Sequence, residues 1–148
     1  MKKVLFLFAM CLTAFTTQAQ TFVDLGLPSK TKWSKINVAG FYTYDEAMYQ
    51  FGNSIPTYGQ WEELINECVW SWNGNGYRVT GPNGNSITLP AAGIRDCGGH
   101  ISNEGFRGLY WTSLSYGTEE AWYLGFAEDH VGLDYLASCM GRSVRLVQ

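Results

Sequence analysis

The hydrophobic period of this chain changes at Cys68, and a single switch from helical to alternating spacing admits few folds. Before it, Tyr44, Ala47, Met48 and Phe51 recur at i, i+3, i+4 and i+7, and Trp61, Leu64, Ile65 and Cys68 repeat that spacing. Each run opens with a capping box, Thr43 with Glu46 and Thr57 with Gln60. There the Thr hydroxyl accepts from an otherwise unpaired helical N–H, and the Glu or Gln side chain accepts from the Thr N–H. Gly52-Asn53-Ser54-Ile55-Pro56 breaks the chain between the runs. The spacing predicts two short helices with one buried stripe each, leaving Asp45, Gln50, Glu62, Glu63 and Glu67 on solvated faces. Beyond Cys68, Asn73-Gly74, Asn75-Gly76 and Asn83-Gly84 tolerate positive φ and predict consecutive hairpins. A Gly-rich polar loop is expected from Gly98 to Gly108. The strand-like pieces LYWTSLS, AWYLGFA, Val131 to Leu136 and RSVRLVQ follow it. Helices first and many short strands after them indicate an α+β fold with antiparallel sheet.

The first residues carry a different signal. Lys2 and Lys3, an apolar run from Val4 to Phe15, and the small or polar residues Thr17-Gln18-Ala19 form the pattern of a secretory signal peptide, cut after Ala19. A membrane span needs ~20 apolar residues, so no span is expected once the signal is removed. Cys11 lies inside the apolar run rather than after it, which argues against a lipoprotein. Residues 1–19 are therefore read as the signal and 20–148 as one domain. The formal charge of −3 falls to −5 when the two leader lysines go. The remaining basic residues are few and scattered, and no nucleic-acid partner is expected. The destination is outside the cytoplasm, secreted or at the cell surface, with the periplasm as an alternative.

Three cysteines remain after the leader, Cys68, Cys97 and Cys139. Export favours at least one disulfide, and Cys97 with Cys139 is the preferred pair because Cys68 completes a helix stripe. The rival reading is a zinc half-site at Cys97-Gly-Gly-His100, but a second half is missing. Glu128, Asp129, His130 and Asp134 supply oxygen enough for a cation, yet neighbours on a strand point to opposite faces. No metal and no cofactor are expected. His100 and His130 lack a recognisable nucleophile, and no phosphate-loop, GxSxG or HExxH motif occurs, so no catalytic residue is assigned.

The order of motifs resembles a known group. DEA in a capped helix, followed by IPTYGQWEEL, resembles the two-helix section of C-type lectin-like domains and of the relatives of the formylglycine-generating enzyme. VDLGLPSKTKW, PTYGQWEELINECVW, GYRVTGPNGNSITLPAAGIRD, LYWTSL and GRSVRLV resemble, over nearly the whole mature chain, the Fibrobacter succinogenes major paralogous domain family of exported bacterial proteins. Ile36 stands where that family usually has a cysteine, so no disulfide from there to Cys68 is available. The long insertion usual before the first helix is also missing, since Gly40 leads almost directly into Thr43.

The resemblance implies a C-type lectin-like fold, two helices flanking short antiparallel sheets, with an entry strand near Phe22 to Leu25 paired to an exit strand at Ser143 to Val147. It also implies a non-catalytic binding module whose ligand, a glycan or a protein outside the cell, meets the aromatic-rich C-terminal segment. Trp111, Tyr116, Tyr123 and Tyr135 are the expected contacts, with Glu119, Asp129 and Asp134 beside them; Tyr and acidic side chains on a rigid frame suit adaptable recognition. Gly81-Pro82-Asn83 lacks the acid of a calcium-dependent sugar loop and reads as a turn. A structural or adhesive surface component is the alternative. The segment Tyr110 to Arg142 also occupies the place that diversity-generating retroelements rewrite in some similar proteins.

Overall fold

The computed structural model describes residues 19–148, so the expected signal peptide falls outside the described residues except for Ala19. The fold is α+β: two α-helices and, among the described residues, ten short strands in four small antiparallel sheets. Helix α1 (Tyr44–Phe51) and helix α2 (Tyr58–Glu67) start at the predicted Thr residues. Both boxes close: the Thr43 N–H donates to Glu46 Oε2 at 2.8 Å and the Thr57 N–H to Gln60 Oε1 at 2.9 Å. No helix among the described residues is long and apolar enough to cross a membrane.

Strand β1 (Phe22–Asp24) folds back on β2 (Lys32–Ser34), with Val23 opposite Trp33. The expected pairing of entry and exit strands does not occur. The chain end lies on the far side of β2 instead: the Ser34 N–H donates to Leu146 O at 2.8 Å and the Gln148 N–H to Lys32 O at 2.9 Å. The reason is local. The turn between Gly26 (φ +73°) and Lys30 (φ +63°) returns the chain at once, so β2 claims the edge of β1 before the distant C-terminus can.

The predicted hairpins are β3 (Val69–Trp72), β4 (Gly76–Thr80) and β5 (Ser86–Pro90), turning at Gly74 and Gly84 with positive φ. The segment expected to be a loop after Gly98 contributes a strand. Ile101–Ser102 (β7) pairs with Ile94–Arg95 (β6), and the bond between Cys97 and Cys139 ties this ribbon to the chain just past the last strand. The third sheet is β8 (Gly108–Tyr116), β9 (Glu120–Ala127) and β10 (His130–Ala137), with β9 in the middle.

That sheet has core on both faces. Tyr110, Leu124 and Phe126 pack with Trp33, Trp61, Leu64, Val79 and Leu89 in the larger core. Trp111 and Ala121 pack with Ala47, Ile55 and Val144 in the smaller one. The alternation of a strand thus serves two cores, and the α2 indole joins them: Trp61 Nε1 donates to Trp111 O at 3.2 Å. Gly108 has to be glycine, because the Phe126 ring occupies the place of a Cβ there. Among the described residues, both cores draw on residues 23–147.

Candidate functional site

The expected contacts separate into three groups. Trp111 is fully buried, and its expected role at a ligand face is withdrawn. Its Nε1 donates to Tyr42 O at 2.7 Å and its ring carries the Arg142 guanidinium at 4.0 Å. Alternation gives a strand two faces without saying what lies over them, and here α1 and the C-terminal segment cover the Trp111 face.

Tyr116 and Tyr135 form the second group, on the face of the third sheet that carries Tyr110 and Leu124. Register places Tyr116 opposite Glu120 and Tyr135 opposite Trp122. The two phenol rings stack with centroids 4.0 Å apart and planes at 29°. The Trp122 ring meets Tyr135 at 5.0 Å, and Tyr58, the first residue of α2, meets Trp122 edge-on at 5.1 Å. The helix covers the sheet as far as Tyr58, and the aromatic row continues beyond it into solvent. Tyr116 is 46% exposed and Tyr135 37%. A bulge brings Tyr116 there: β8 takes four residue steps from Trp111 to Ser115 where β9 takes two, while the Ser113 N–H donates to Pro56 O at 2.9 Å. Glu119 lies in the adjoining hairpin turn, and an open trough of about 720 Å³ runs from Tyr116 past Glu119 and Ala137 to Cys139.

Tyr123, Asp129 and Asp134 form the third group, on the opposite side. They line an open cleft of about 460 Å³ together with Arg107, Leu109 and His130. Register sets Leu109, Gly125 and Gly132 in one row across the sheet and Trp111, Tyr123 and Asp134 in the next. Behind Tyr123 lies Arg142, 4.0 Å from the centres of both the Trp111 and Tyr123 rings. Burial pushes this guanidinium down to about 10, with Tyr123 and Asp134 opposing. Burial likewise raises the Tyr123 hydroxyl, Asp134 adds to the rise, and Arg142 and Arg107 oppose it.

The disulfide takes Cys97 out of any zinc half-site. Cys68 is free and half-buried; burial, with Glu63 and Glu67 adding, pushes its thiol up to about 11, which keeps it protonated at neutral pH. Among the described residues no group of three or more His, Cys, Asp or Glu side chains gathers around a possible cation position.

Trp122, Tyr58, Arg107 and Arg142 were not singled out by sequence. Trp122 reads as core from AWYLGF, and it does share a face with Leu124 and Phe126. What the pattern omits is where the helix stops. The glycines inside β9 and β10 were a usable signal, since an isolated strand glycine marks a bulge or a close approach. Compared with family models, with curated proteins and with solved structures, the chain matches none.

Proposed function

We propose that the chain is an exported, non-catalytic binding module with a C-type lectin-like fold of the major paralogous domain kind, recognising a carbohydrate or protein ligand outside the cell. The observation that carries this reading is the stacked, solvent-facing Tyr116–Tyr135 pair, buttressed edge-on by Trp122. Such rings offer large contact area at small entropic cost, because neighbouring rings already fix them. The trough beside them, edged by Glu119 and Glu120, adds acceptors for hydroxyl or amide donors. The disulfide supports an oxidising destination.

A second reading, a structural or adhesive surface component, is favoured by β10. This outer strand of eight residues, HVGLDYLA, has neither Lys nor Pro to discourage pairing with a neighbour. An array of glycans and host proteins probed with residues 20–148, with calcium and with chelator, separates the two. The binding module gives reproducible hits as a monomer. A blank array, together with concentration-dependent assembly of folded protein, overturns it in favour of the second reading.

A further inference from the structure

The cleft on the far face of the third sheet differs chemically from the tyrosine pair. Its floor is the row Leu109–Gly125–Gly132, of which two positions lack a side chain. Neither glycine has positive φ, so no backbone conformation demands them. A Cβ at Gly132 would meet nothing nearer than the His130 imidazole at 3.2 Å, the far end of a flexible side chain. An interior strand glycine is weakening, and here its consequence is open floor.

One cation, Arg107, and two carboxylates, Asp129 and Asp134, line that cleft without meeting. The single ion pair among the described residues is Arg95 with Glu46 at 3.6 Å, so Arg107, Asp129 and Asp134 each keep their charge available. Asp134 uses Oδ1 to accept the Tyr135 N–H at 2.8 Å, leaving Oδ2. The Tyr123 hydroxyl feels Asp134 and Arg107, in opposite directions. On the other side of its ring stands Arg142, fully buried, with Nε and Nη1 unpartnered. A ligand with one charge would answer one side of the cleft and leave the other unpaired, whereas a ligand carrying both signs answers both.

We propose that this cleft binds a small zwitterion of the α-amino-acid class, its carboxylate on Arg107, its ammonium group on Asp134, and its side chain over Leu109 and the Gly125–Gly132 floor. The site is separate from the tyrosine pair and does not depend on it.

The test is ¹H–¹⁵N NMR of residues 20–148, titrated with the standard free amino acids. At least one amino acid shifts the Gly125 and Gly132 amides saturably. Its N-acetyl and its carboxamide derivatives each bind about tenfold more weakly or worse, because each loses one charge-assisted contact. Asp134→Asn weakens binding by about the same factor. Gly132→Val fills the floor and abolishes the shifts while the rest of the spectrum keeps its dispersion, and Tyr116→Ala leaves binding unchanged. The proposal is overturned if no amino acid saturates these two amides, if a neutral hexose shifts them instead, or if the Gly132→Val protein binds as the unaltered one does.

Discussion

Arg142 and Arg145 lie three positions apart, both without solvent exposure, and their surroundings are opposite. Arg145 is fully engaged: Nε donates to Asn37 Oδ1 at 2.9 Å, Nη1 to Ser34 O at 2.8 Å and Nη2 to Thr88 O at 2.6 Å. Arg142 has the faces of Trp111 and Tyr123 and no oxygen partner. Replacing either by Met keeps most of the volume but removes the charge. For Arg145 the loss strands three acceptors, each costing about 1–3 kcal/mol when buried and unmet. For Arg142 the loss of stacking, about 2 kcal/mol, is offset by relief from burying an unpaired cation. Chemical denaturation should therefore show Arg145→Met destabilising by about 3 kcal/mol or more and Arg142→Met by under about 1.5 kcal/mol. The reverse order would mean that the aromatic sandwich outweighs the hydrogen bonds. Alternation in GRSVRLV puts the two arginines on opposite faces, but what lies over each face was not legible there.

Helices α1 and α2 were legible in sequence because capping boxes are local: both partners lie within four residues, and nothing distant can displace them. Strand partners were not legible for β1, β2 and the chain end, where pieces of three residues carry too little pattern to fix a neighbour. Long-range polar contacts were missed for a related reason. Glu63, expected on the solvated face of α2, accepts from the Ser29 N–H at 2.9 Å and from the Ser29 hydroxyl at 2.6 Å. That contact fastens the helix to the turn between β1 and β2, across 34 positions of sequence. Glu63→Ala is accordingly not silent; it should cost about 1–2 kcal/mol, as hydrogen bonds to a charged group do. Amide exchange offers the sharper readout. Ser29 and its neighbours should exchange faster in the variant while α2 itself keeps its protection, and uniform exchange across both would contradict the fastening role.

Across the whole molecule, the C-terminal sheet is held at both ends. The helices press on its faces, and the Cys97–Cys139 bond, spanning 42 positions, ties its last strand to the β6–β7 ribbon. Closing a loop of that length removes chain entropy worth roughly 4 kcal/mol. Reduction should lower Tm by roughly 10 °C or more, and an unchanged Tm would show that the ribbon is held by other contacts. The pairing itself was legible, since Cys68 completes the α2 stripe and leaves the other two. Which aromatics stay free was not, because that depends on where α2 ends and where β8 bulges.

The proposed recognition role rests on the tyrosine pair, so the deciding comparison is solution binding of the best array ligand to the unaltered protein and to Tyr116→Ala,Tyr135→Ala. Both rings are surface groups, and the double variant should unfold within about 1–2 kcal/mol of the unaltered chain. A loss of affinity of about tenfold or more at that stability is the predicted result. Unchanged affinity would contradict it and move recognition away from this face of the sheet.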